Sequence, residues 1–161
     1  MKHLKIGFLF ILILAALSFT GCSDNTKEAE KQVEYEILPA EAKTFVSRYF
    51  GGKDNVEKVI EIEAQNMVIF QVNTINGFQL TFNSDGIWQE IDAPDGESVP
   101  KSILPEPVQQ TLSERYYGYG VTEINREGEN YHVVLSNNQG GDSLDFIINQ
   151  SGEIIQTGEM D

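Results

Sequence analysis

Hydrophobic positions along this chain change their period, and the changes mark its elements. From Pro39 onward Ala42, Phe45, Val46 and Tyr49 recur at helical spacing, Pro39 suits a first helical turn, and Gly51 and Gly52 close the stretch. A second helical stretch places Val108, Leu112 and Tyr116 on one face, with Pro105 and Pro107 confined to its first turn. Strand periodicity follows each helix. After the first, residues 56–63 and 67–73 read as strands around a Gln65-Asn66 turn, residues 78–82 alternate strictly, and residues 87–91 form a fourth strand. Asn76-Gly77 and Asp85-Gly86 are the hairpin signals between them. After the second helix the strands are residues 121–126, 131–135, 144–149 and 153–157, with a looser loop from Asn137 to Asp142.

The two halves echo each other. Ile37-Leu38-Pro39 returns 66 residues later as Ile103-Leu104-Pro105, and Phe82-Asn83-Ser84-Asp85-Gly86 aligns with Ile148-Asn149-Gln150-Ser151-Gly152 at the same displacement. The expected fold is therefore α+β, two α-β-β-β-β repeats forming an antiparallel sheet, continuous or in two abutting parts, with both helices on one face. The expected boundaries are residues 37–92 for the first repeat, 93–102 for a linker rich in Pro, Gly, Asp and Ser, and 103–161 for the second.

Ahead of the repeats stands Lys2, His3 and Lys5, then an apolar run from Ile6 to Leu17, too short for a comfortable bilayer span of about 20 residues. This is the layout of a secretory signal peptide over residues 1–21. Its end, Phe19-Thr20-Gly21-Cys22, resembles a bacterial lipobox, although Phe19 stands where Leu is usual; the resemblance implies that Cys22 is lipidated and becomes the mature N-terminus. Ser23 after the cysteine, rather than aspartate, favours the outer membrane by the same resemblance, on its periplasmic side or at the cell surface. Residues 22–36 are polar and charged, which reads as a flexible tether.

Charge narrows the partners. The 161 residues carry 11 Lys and Arg against 25 Asp and Glu, a net charge of −14, and removal of Lys2 and Lys5 with the leader makes it −16. So acidic a surface repels phosphate backbones and anionic headgroups, so nucleic acid is not an expected partner and the membrane is reached only through a lipid on Cys22. A single cysteine excludes an internal disulfide and every Cys-rich metal scaffold.

Catalytic chemistry is not legible. His132 is the one histidine outside the leader, which excludes His-His metal sites, and a lone His in a strand reads as structural. Asp92 to Glu97 lacks the ligand spacing of a calcium loop and reads as solvated linker, and no phosphate-binding glycine loop or nucleophile elbow is present. The chain is expected to be no enzyme, with no cofactor, no metal and no catalytic residue. Tyr116, Tyr117 and Tyr119 read as packing at a helix end. What alternation does supply is a face: if Phe78, Leu80 and Phe82 pack under the first helix, and Tyr131, Val133 and Leu135 pack with Leu144, Phe146 and Ile148, then Gln79, Thr81, His132, Val134, Asp145 and Ile147 point the other way. Trp88 alternates with Ile87 and joins this candidate binding face if it is the one turned outward.

Leu38-Pro39 and Leu104-Pro105, the aromatic helix ends, Asn76-Gly77-Phe78 with Phe82, Asp85-Gly86-Ile87-Trp88, and Val99-Pro100 give residues 35 to 157 a resemblance to the tandem PepSY-like lipoproteins, related in architecture to the beta-lactamase inhibitor protein. The resemblance implies a noncatalytic envelope module that binds or inhibits another protein, secreted or periplasmic. The alternative is a carrier or sensor whose sheet holds a small ligand such as a peptide, glycan or lipid.

Overall fold

In the computed structural model residues 29–64, 67–137 and 142–158 are described. The leader, Cys22, the first residues of the expected tether and the Gln65-Asn66 turn lie outside them. The strands are β1 (Ala29–Val33), β2 (Val56–Ala64), β3 (Met67–Thr74), β4 (Gln79–Asn83), β5 (Trp88–Asp92), β6 (Tyr119–Glu127), β7 (Asn130–Asn137), β8 (Ser143–Asn149) and β9 (Ile154–Thr157). They form one sheet in chain order, each neighbour antiparallel to the next. Helix α1 (Ala40–Tyr49) lies between β1 and β2 in the chain, and α2 (Glu106–Arg115) between β5 and β6.

One row of side chains explains why the sheet is continuous. Val59, Val72, Leu80, Ile91, Ile124, Val133 and Phe146 stand directly opposite one another from β2 to β8, and each is at most 2% exposed. Opposed residues of an antiparallel ladder share a face, so the row is one apolar stripe across seven strands. Both helices cover it. Ala42 and Val46 of α1 and Val108 and Leu112 of α2 are fully buried, Phe45 meets Phe82 edge-on at 5.7 Å, and Tyr116 stacks on Phe146 at 5.1 Å.

Two hairpin turns fix the helix starts. Gly86, between β4 and β5, has φ +81°, and a Cβ there would lie 2.8 Å from the Ala42 backbone nitrogen. Gly152, between β8 and β9, has φ +81°, and a Cβ would lie 2.5 Å from the Pro107 carbonyl oxygen. Only glycine permits both the left-handed backbone and so close an approach.

The expected division into two α-β-β-β-β repeats is not what the chain forms. The described residues form a single nine-stranded sheet, because β5 pairs directly with β6 through Glu90–Asn125, Ile91–Ile124 and Asp92–Glu123, and the apolar core runs through that junction unbroken. A strand outside the expected pattern completes the count: Ala29–Val33, within the stretch expected as tether, pairs with β2 from Ala29–Glu63 to Val33–Val59. The expected linker is also packed. The Ala93 N–H donates to the Thr122 carbonyl and the Val99 N–H to the Val121 carbonyl, both at 2.8 Å, and Val99 is 2% exposed.

Candidate functional site on the open sheet face

The face opposite the helices carries two cross-strand rows. Thr81, Glu90, Asn125, His132, Ile147 and Gln156 form one, and Gln79, Asp92, Glu123, Val134 and Asp145 the other. Gln79, Thr81, His132, Val134, Asp145 and Ile147 thus share this face, as strand alternation requires. Trp88 does not. It is 9% exposed and packs on the helix side against Phe45 and Tyr131, while Ile87 is the exposed neighbour. The reason is a β-bulge: Thr81 pairs with Glu90 but Phe82 pairs with Trp88, so one extra residue lets Trp88 turn into the core while Glu90 keeps the open face. A second bulge lies across the junction, where Val121 pairs with Leu135 but Glu123 pairs with Val134. It places Val121 in the core and Glu123 on the open face.

A groove of about 470 Å³ runs over this face, with Met67, Ile69 and Ile147 as its apolar part and Asn125, His132 and Asp145 among its polar groups. His132 Nε2 and Asp145 Oδ1 lie 2.5 Å apart, a diagonal pair between β7 and β8. The pair holds the imidazole in place.

Beside the groove is a cluster that sequence reasoning did not single out. Glu90, Asp92 and Glu123 each bring a carboxylate oxygen within 4.8 Å of the others. Glu90 is 4% exposed, and its Oε1 is buried without a hydrogen-bond partner. Asn125 Nδ2 donates to Glu123 Oε1 at 2.6 Å. Burial pushes the Glu90 carboxyl up to about 7, and the neighbouring charges of Asp92 and then Glu123 add to the rise. Alternation puts Glu90 outward, but its nearness to Glu123, 33 residues on, depends on the β5–β6 pairing and the bulge at Thr122, neither of which leaves a local signal.

The described residues thus build an antiparallel sheet that carries two helices on one face and a polar, grooved surface on the other. The family model described as "Putative beta-lactamase-inhibitor-like, PepSY-like" matches residues 68–156, more than half of the chain, and the chain belongs to this family. Its fold is shared with solved structures. A protein of Bacteroides thetaiotaomicron described as a "putative calcium-regulated periplasmic protein" superposes with a TM-score of 0.70 at 24% identity, over 81% of this chain and 97% of its own. A protein of Bacteroides vulgatus described as a "putative periplasmic protein" of the DUF2874 family gives 0.69 at 22% identity, over 81% and 97%. A second protein of that organism, with a similar description and "of unknown function", gives 0.68 at 22%, over 83% and 100%. No curated protein matches the chain. Neither the family nor these structures indicates an enzyme class.

Proposed function

We propose that this chain is a noncatalytic binding protein of the bacterial envelope, anchored through a lipid on Cys22, whose open sheet face takes a protein partner. The observation that carries the reading is the asymmetry of the sheet. Helices cover the central strands on one face, and the other face leaves half-buried apolar side chains, Val134, Ile147 and Ile69, among polar ones. An apolar centre with a polar rim is the make-up of a recognition surface. The periplasmic descriptions of the structural neighbours support the envelope placement. No helix among the described residues is long and apolar enough to cross a membrane.

The volume of the groove supports a second reading. About 470 Å³ lies within the range of small-ligand pockets, roughly 300–1,000 Å³, which suits a carrier or sensor of a peptide, glycan or lipid. One experiment separates the two. Wild type and the double variant Val134→Ser, Ile147→Ser are compared for thermal stability and for partners recovered from envelope extract, with mass spectrometry of any small molecule that copurifies. A protein partner lost by the double variant at unchanged melting temperature supports the first reading. A stoichiometric small molecule supports the second, and a large drop in melting temperature shows that the two residues serve the core.

A further inference from the structure

The carboxylate cluster at the β5–β6 junction has a geometry that protein–protein recognition does not require. In a folded interior a polar oxygen without a partner is costly, roughly 1–3 kcal/mol and more when charged, and such atoms mark sites of ions or chemistry. Glu90 Oε1 is such an atom, on a residue 4% exposed whose carboxylate is one of a group of three acids with oxygens within 4.8 Å of one another. Two bulges bring the group together. The bulge at β4–β5 separates the facing of Trp88 from that of Glu90, and the bulge at β6–β7 turns Glu123 onto the open face beside Asp92.

We infer that Glu90, Asp92 and Glu123 form a binding site for a hard divalent cation of the calcium class. Oxygens that share one calcium ion lie about 2.3–2.6 Å from it, so they stand no more than about 5 Å from one another. The cluster meets this bound, with all three oxygens within 4.8 Å. The donor set is carboxylate only, which suits calcium and not zinc or copper. Asp92 and Glu123 are half-buried, so water can complete the six to eight ligands, roughly, that calcium takes. Asn125 orients one of the three by its hydrogen bond to Glu123. The inference stands independently of the partner proposed for the same face.

The test is a thermal melt of the full chain in detergent, followed by Trp88 fluorescence at pH 8. Addition of CaCl2 to about 5 mM, several-fold above the ~10⁻⁴–10⁻³ M dissociation constants of extracellular calcium modules, is expected to raise the melting temperature by several degrees. Glu90→Gln and, separately, Glu123→Gln should abolish that rise. Glu123 is half-buried, so its variant keeps the test open if the Glu90 variant folds poorly. Ile147→Ser alone, on β8 two strands from Glu123, should keep the full response, which separates this site from that part of the open face. No calcium-dependent rise in wild type, an equal rise in both Gln variants, or an equal rise with MgCl2 at the same concentration would overturn the assignment.

Discussion

Trp88 on β5 stacks against Tyr131 on β7 with ring centroids 6.0 Å apart and planes 17° from parallel, reaching across β6 on the helix side of the sheet. Phe45 of α1 lies 6.3 Å from the same indole and the Arg126 guanidinium 5.5 Å above it. A single side chain thus joins the first helix to the last third of the sheet at the place where a two-module reading would put a boundary. Trp88→Ala should lower stability by about 3–5 kcal/mol, the usual cost of emptying a buried aromatic site, and Trp88→Phe by clearly less. Urea unfolding followed by far-UV circular dichroism checks both. Because the core is continuous, wild type should unfold in one transition, and two resolved transitions would show that the halves are independent after all.

The glycine turns beneath the helices offer a sharper comparison. Gly152→Ala drives a methyl into the Pro107 carbonyl and forces alanine to φ +81°, whereas at Gly128, φ +62°, a Cβ meets nothing within 4 Å. Gly128→Ala should cost only the backbone strain, on the order of 1 kcal/mol. Gly152→Ala should cost clearly more, because backbone atoms of α2 have to move. Equal melting temperatures for the two variants would show that α2 is not seated on this turn.

Glu90 makes stability depend on pH in the direction opposite to most carboxylates. Its folded pKa of about 7 lies above the ordinary value of 4.5, so between these pH values the folded protein keeps a proton that the unfolded chain has released. Stability from this group is therefore full below about pH 4.5, falls as pH rises towards 7 and is level above it. Each unit of separation is worth about 1.4 kcal/mol, which makes the whole effect on the order of a few kcal/mol. Unfolding free energies of wild type and Glu90→Gln at pH 5 and pH 8, without divalent cations, measure it. Wild type should lose stability relative to the variant on going to pH 8, and parallel behaviour would mean that Glu90 is ionised throughout.

How much of this was legible in the sequence follows from which interactions are local. The helices and eight of the strands announce themselves through period, proline and glycine, because those signals act over a few residues. The facing of Gln79, Thr81, His132, Val134, Asp145 and Ile147 was legible for the same reason. The failures share a cause. β1 is polar and edge-located, exposed along Ala29–Gln32, so it has no hydrophobic alternation and is held by the backbone of β2. Trp88 and Glu123 owe their facing to bulges, which break the period on which the reading depends. Whether two halves share one sheet is decided by the β5–β6 pairing, a contact between segments some 30 residues apart with no motif at either end.

The anchor can be tested against the position of β1. If Cys22 carries the lipid, the chain from Cys22 to Ala29 spans at most about 25 Å even when fully extended, at 3.3–3.6 Å per residue. The sheet edge is then held close to the membrane surface, and attachment depends on the acyl chains, each buried methylene contributing about 0.8 kcal/mol. The described sheet begins at Ala29, seven residues after Cys22. Cys22→Ala should therefore move the protein from the membrane fraction to the soluble fraction and leave its melting temperature unchanged. Fractionation after a high-salt wash is the measurement. Retention of the variant in the membrane would make the apolar run from Ile6 to Leu17 the anchor, and a lowered melting temperature would mean that residues ahead of β1 take part in the fold.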